Sequence, residues 1–288
     1  MKLREIYNTD KTAISFEVFP PKENSEKLLE EIKVLKQHNP VFISLTYGAG
    51  GNENKSFKLL KQIKDTETNV MPHFTCITTT KENIEKNINT LINLGIENIL
   101  ALRGDIPENK ELQKHDFYHA SDLVEFIKHK TNLSIGVAGY PEGHIESPDL
   151  DTDINYLKAK VDKGADAIFT QLFFDNNNFY KFIDKTEKAG INIPIIPGIM
   201  PIISEKQVEK MVKLANITVP KKVQENLNKL KNKDLIEFGI DYASSQCENL
   251  IKNGIKGLHF YTLNKSYSTD QILNNIKGVI YGKSKQTH

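Results

Sequence analysis

NILALRGD, residues 98–105, opens on a short apolar run, Ile99 to Leu102, and ends in Arg103, Gly104 and Asp105 with no spacer. Unbroken apolarity over strand length reads as a parallel strand buried on both faces; a half-exposed strand would alternate. Two opposite charges around a glycine are ordinary turn chemistry, or else the rim of a binding site at the strand's C-terminal end. The rest of the chain bears on which.

Seven further runs of the same kind stand at Ile14–Phe19, Phe42–Thr46, Met71–Thr75, Ile135–Ala138, Ala167–Leu172, Ile195–Pro197 and Gly257–Tyr261. Between and after them lie segments of helical periodicity: Ser25–Gln37, Ser56–Lys64, Asn83–Leu94, Ser121–Lys130, Asp151–Lys163, Asn178–Ala189, Glu205–Leu214, Leu235–Asn253 and Thr269–Ile280. Gly164 and Gly190 stand where helices end, and Ser25 is placed to cap one. Eight strands alternating with helices predict an α/β fold of the (β/α)8 TIM-barrel type, taken as a single domain over residues 1–288. Residues 215–234 exceed what the pattern needs, and an extra helix is expected there from near Val219–Lys221.

A doubly wound nucleotide fold is the rival. Its G-x-G-x-x-G turn is approached only by YGAGGNEN, residues 47–54, where Glu53 stands in place of the third glycine, and there is no Walker A pattern. The 288 residues carry a formal net charge of +1, which gives no reason to expect nucleic acid or an anionic membrane surface as partner. The longest apolar runs are too short to span a bilayer, and the N-terminus has no secretory h-region. Cys76 and Cys247 lack metal spacing, so the reading is a reducing, cytoplasmic setting with no disulfide framework and no metal site.

In such a barrel, catalytic side chains sit where strands end. Those ends supply Glu17, Thr46 with Tyr47, His73 with Thr75, Arg103 with Asp105, Tyr140, Glu142 and His144, then Gln171, and finally PGIMP and HFYTLN. Each has a plainer reading. His73 is equally well a satisfied core histidine, and His144 a turn residue. Gln171 can pair with backbone or ligand, Arg103 and Asp105 with each other or with neighbouring strands, and the glycines after Tyr47 can be only a flexible loop. Glu17 lies between Phe16 and Val18, where a carboxylate needs a partner or a task; desolvation by these neighbours is expected to raise its pKa. The weight lies in so many polar groups converging on one rim.

SFEVFPPK, SLTYGAGG, LALRGD, GVAGYPEGH, TQLFFD, IIPGIMPI and LHFYTLN, in this order from Ser15 to Asn264, resemble the methylenetetrahydrofolate reductase family, in its short bacterial form without a regulatory domain. The resemblance implies a flavoprotein oxidoreductase of one-carbon metabolism and methionine biosynthesis that binds FAD non-covalently. It would take hydride from NADH or NADPH and reduce 5,10-methylenetetrahydrofolate to 5-methyltetrahydrofolate. By the same resemblance Glu17 is the general acid at N10 and also contacts substrate. Asp105 lies near flavin and pterin, and Gln171 contacts folate. Thr46, His73, Arg103, Gly104, Asp105, Ala120, Tyr140, His144, Asp153 and Lys160 match FAD-contacting positions, with Arg103 and Lys160 suited by charge to the pyrophosphate. Lys265 stands where arginine is expected to meet the folate tail. His119, Ser147 and Met211 also depart from the family pattern. Nicotinamide preference and homo-oligomer formation are left open. Two rival functions are a cofactor-free barrel lyase or aldolase, which needs either a lysine at a strand end, which no predicted strand has, or a metal cluster, for which no His and carboxylate residues have ligand spacing, and a folate- or partner-binding protein without chemistry.

Overall fold

The computed structural model describes residues 1–21, 25–46, 53–77, 79–105 and 115–282. The YGAGG turn therefore lies outside the described residues. Eight parallel strands close into a barrel in sequence order: β1 (Ala13–Val18), β2 (Phe42–Leu45), β3 (Val70–Thr75), β4 (Asn98–Leu102), β5 (Ser134–Gly139), β6 (Ala167–Leu172), β7 (Ile195–Ile199) and β8 (Gly257–Tyr261), with β8 paired back onto β1. The fold expected from the alternating pattern is the one observed. The helices are α1 (Leu3–Tyr7), α2 (Glu26–Lys36), α3 (Glu53–Lys64), α4 (Lys81–Asn93), α5 (Ala120–Lys130), α6 (Leu150–Asp162), α7 (Asn176–Lys188), α8 (Glu205–Ala215), α9 (Lys221–Lys229), α10 (Asn232–Lys252) and α11 (Tyr267–Tyr281).

Strand alternation sorts the side chains into two shells. From β1, Ile14, Phe16 and Val18 join the large apolar layer between sheet and helices. The opposite face carries Ala13, Ser15 and Glu17 into the barrel interior, where Ser15 meets His259 and Glu17 lines a cavity. The lower interior is filled by Phe42, Met71, Leu100, Phe169 and Ile196, and α1 closes that end with Leu3, Ile6 and Tyr7. The Leu3 N–H, an orphan donor of the helix start, donates to Asn98 Oδ1 at 3.0 Å. Arg4 pairs with the buried Asp166 at 2.8 Å.

Gly164 and Gly190 take φ of +113° and +74°, as helix-terminating glycines do. Ser25 behaves otherwise than expected: its backbone is already helical and its hydroxyl donates to Gln62 on α3 at 3.2 Å, so it ties two helices together and caps neither. The extra helix of the excess segment is α9. With α8, α10 and the residues after β6 and β7 it builds a separate apolar cluster around Phe174, Ile202, Val208 and Leu227. This cluster holds α8 at the barrel mouth, where Met211 and Leu214 line the central cavity.

Candidate active site

Glu17 lies at the bottom of a cavity of about 480 Å³ over the C-terminal strand ends, with one-fifth of its side chain exposed. Register puts Ser44 and Tyr261 beside it on the neighbouring strands. One carboxylate oxygen is 3.4 Å from His73 Nε2 and 3.8 Å from His259 Nε2; the other accepts from the Thr46 hydroxyl at 3.5 Å. A serine meets each ring at 2.8 Å: Ser15 at His259 Nδ1, on the far side of the ring from Glu17, and Ser44 at His73 Nε2, the same nitrogen that faces Glu17. His259 is 1% exposed, and its buried Nε2 has no hydrogen-bond partner.

This arrangement corrects the expected pKa of Glu17. Burial does push the carboxyl upward, but the charge of His73 and the hydrogen bonds and charge offered by His259, with a smaller contribution from Thr46, outweigh it and hold Glu17 below its ordinary value. Phe16 and Val18 flank it in sequence yet face the helices, so they are not the groups that set its environment. Burial lowers the His73 pKa, against the pull of Glu17, and His259 adds to the lowering. Sequence reading did not single out His259. It sits in GLHFY as one residue of a strand, and only the β1–β8 register, Ser15 opposite His259, brings it under the carboxylate.

Asp105 and Gln171 line the same cavity. The β6–β7 register shifts between Phe169 and Leu172, and this irregularity lies beside Gln171. The Gln171 Oε1 accepts from the Leu172 N–H at 2.9 Å. The shift also presses the Thr170 carbonyl onto Gly198, where a Cβ would lie 2.2 Å from that oxygen and 2.6 Å from the Tyr261 ring. Tyr261 in turn donates to the same carbonyl at 2.7 Å. Gly198→Ala is therefore expected to destabilise the protein by about 2–3 kcal/mol, the upper range for overpacking. Urea unfolding reads this as a lower midpoint at constant slope; an unchanged midpoint would show that β7 shifts freely.

After β8 the chain makes a turn with Leu263 and Asn264 at φ of +52° and +57°. Asn264 tolerates this conformation, and its side chain both accepts from the Phe19 N–H and donates to the Phe19 carbonyl, locking the β1 and β8 ends together. Leu263 reaches the cavity wall, whereas Lys265 is exposed and not part of it.

A second cavity of about 390 Å³ adjoins the first, the two sharing Leu102, Ala138 and Tyr140 as walls. It gathers Arg103, Ala120, Tyr140, His144, Asp153 and Lys160, six of the residues read from sequence as cofactor-binding. Thr46, His73 and Asp105 instead line the first cavity. Gly104, between Arg103 and Asp105, has φ of +87°, and a Cβ there would come within 2.9 Å of Ile77. The left-handed turn it makes lets consecutive charged residues serve two different cavities. This geometry answers for the charges after β4: Arg103 does not pair with Asp105 but forms a two-pronged ion pair with Glu146, at 2.5 and 2.7 Å. The Lys160 ammonium donates to the Ala138 carbonyl at 2.6 Å, and burial lowers its pKa to about 8 against the pull of Asp153. Asp153, raised by burial, accepts from the Ser147 hydroxyl at 3.0 Å. The first turn of α5, at His119 to Ser121, faces this cavity and presents the positive end of its helix dipole.

Long and two-chambered, with cations and a helix start at one end and a carboxylate–imidazole cluster at the other, this cleft suits a ligand with a charged middle and a reactive head. A cofactor diphosphate fits the donor set: the Glu146 carboxylate already occupies the Arg103 fork as an oxyanion would. Among the described residues no cluster of three or more His, Cys, Asp or Glu side chains could hold a metal, and no helix is long and apolar enough to cross a membrane. Cys76 and Cys247 are buried free thiols.

The sequence is similar to those of known proteins. The family model described as methylenetetrahydrofolate reductase matches residues 2–277. Methylenetetrahydrofolate reductase (NADH) 1 of Arabidopsis thaliana is 39% identical over 298 residues, covering 96% of this chain and 50% of its own. The 5,10-methylenetetrahydrofolate reductase of Escherichia coli is 37% identical over 261 residues, 88% of this chain and 86% of its own. The chain thus spans about half the length of the plant relatives it matches and most of the bacterial one. A Clostridium thermocellum structure, described as an uncharacterized protein that binds two copies of 5-methyl-5,6,7,8-tetrahydrofolic acid, superposes with a TM-score of 0.67 at 15% identity, over 98% of this chain and 99% of that one; at that identity it shows the fold alone.

Proposed function

Because the chain belongs to the methylenetetrahydrofolate reductase family, we propose that it reduces 5,10-methylenetetrahydrofolate to 5-methyltetrahydrofolate with NADH or NADPH as electron donor and non-covalently bound FAD as carrier. The observation that supports this most is the Glu17 carboxylate, set against two imidazoles at the foot of a cleft that runs on into a cation-lined chamber. Relatives named for NADH and for NADPH both match, so the reductant is a nicotinamide of either kind. The buried free cysteines accord with a reducing compartment, and we place the protein in the cytoplasm.

FAD would be held by Arg103, Lys160 and the start of α5 at its diphosphate, with Tyr140, His144 and Asp153 around them and Thr46, Gly104 and Asp105 toward the ring. When bound, it supplies the hydride. The chain's own groups handle the proton. The Ser15 hydroxyl lies 3.4 Å from the Leu258 carbonyl and 2.8 Å from His259 Nδ1. If it donates to the carbonyl, it accepts from Nδ1–H, which leaves a lone pair on Nε2 facing Glu17. A proton on Glu17 Oε2 would face that lone pair from 3.8 Å. In the free site Glu17 is held low and gives the proton up readily. Substrate covering the exposed fifth of the side chain removes water and favours the neutral carboxyl. Protonated Glu17 delivers its proton to N10 as the C–N10 bond breaks, and the resulting N5 iminium receives the hydride. Asp105, an exposed anion at the same cavity, stabilises that cation. Gln171, with Oε1 committed to the backbone, keeps its amide donors for the pterin.

Two measurements test this reading. Protein passed through gel filtration after incubation with FAD should carry flavin absorbance with it; a colourless protein that takes up no FAD would favour a lyase or a binding-only role. Asp105→Asn should raise the reduction potential of the bound flavin, since a negative charge near the ring opposes its anionic reduced form. It should also slow folate-dependent turnover more than NADH oxidation. An unaltered potential would place Asp105 away from the ring.

A further inference from the structure

Arg103 directly follows β4 with its guanidinium in the second cavity, and both terminal nitrogens are engaged by Glu146. Glu146 comes from the β5–α6 loop. Its backbone N–H donates to His144 Nδ1 at 3.2 Å, while the Ser147 N–H donates to the His144 carbonyl at 2.9 Å. Gly143, at φ of +85°, turns the chain into that loop. The loop that supplies His144 to the cavity thus also delivers a carboxylate to its arginine. Arg103 is 24% exposed and Glu146 54%. The pair makes each partner a better ion: Arg103 raises no conflict with burial because Glu146 holds its charge, and the hydrogen bond from Arg103 lowers the Glu146 pKa.

A guanidinium has one planar fork of this kind, and a carboxylate and a phosphate compete for it with the same geometry. We propose that Glu146 is a resident competitor for the cofactor's diphosphate. It holds Arg103 in the free protein, must release it when a diphosphate ligand enters, and so sets the threshold an anion must pass to occupy the site. This rests on the reading of the second cavity as the FAD diphosphate site. Release is inexpensive because Glu146 turns out into water, whereas a surface pair of this exposure contributes little by itself. A weak monoanion does not displace it; a diphosphate does, since it also meets Lys160 and the start of α5.

Glu146→Gln keeps the shape and removes the charge. With flavin first stripped from the protein, FAD titration followed by flavin fluorescence should show about three- to tenfold tighter binding than wild type. In an Arg103→Gln background the same substitution should change affinity by less than about twofold, because no fork remains to compete for. Unchanged or weaker FAD binding by Glu146→Gln would overturn the proposal. So would an equal gain with and without Arg103, which would reduce Glu146 to general repulsion. Thermal unfolding in inorganic diphosphate separates this from the cofactor assignment. Greater stabilisation of Glu146→Gln than of wild type, in a protein that takes up no FAD, would sustain the competition at Arg103 while the FAD reading fails. Equal stabilisation there would count against the competition itself.

Discussion

Glu17→Gln is expected to lower folate-dependent turnover by roughly 10²-fold or more while folate-free NADH oxidation stays near the wild-type rate. The amide fills the space of the carboxyl and can still meet Thr46 and the two imidazoles, so the fold around it has no reason to change. What it lacks is a proton that can leave. That proton is required only where the folate ring opens; hydride donation by the nicotinamide needs none from this position. The loss should therefore appear in one half of the reaction and not in the other. Equal slowing of both would make Glu17 structural and would move the acid elsewhere on the rim, with His259, 3.8 Å away, the next group to test.

Arg103→Glu is expected to weaken FAD binding by about 10²-fold. Losing a charge-assisted contact costs about 1.5–3 kcal/mol, and each 1.4 kcal/mol is a factor of ten. Reversal also sets two carboxylates, the new one and Glu146, at the mouth of a chamber meant for a dianion. Arg103→Lys, which keeps the charge but not the fork, should fall between this variant and wild type. Equilibrium dialysis against FAD measures all three. Wild-type affinity in Arg103→Glu would remove this residue from the cofactor site and, with it, the role given to Glu146.

The barrel was legible because a parallel strand with two buried faces leaves a signature of its own, and β6 and β8 match the apolar runs residue for residue. β7 was read short, ending at Pro197, since proline and glycine normally stop strands. Here the β6–β7 pairing resumes at Gly198 beyond a register shift, and no Cβ stands in the way of the Thr170 carbonyl. Helix α1 was missed: five residues are too few for a 3.6-residue period to show. Within the site, the strand-end residues could be named from position, whereas Gly104, Ala120, Asp153, Lys160 and Lys265 were implied only by the family resemblance; the two cavities gather all of these except Gly104 and Lys265. Partners could not be. Glu146 pairs with Arg103 across forty-three positions, and His259 reaches Glu17 only through barrel closure. The misjudged pKa of Glu17 has the same origin: sequence neighbours on a strand face away, while the neighbours that matter belong to other strands.

The most direct test of the account is the balance of the reaction itself. Protein loaded with FAD is incubated without oxygen with NADH and 5,10-methylenetetrahydrofolate, and the folate products are separated and quantified. One 5-methyltetrahydrofolate is expected for each NADH consumed. NADH consumption without methyl product, or no consumption by a protein that demonstrably holds FAD, would contradict it.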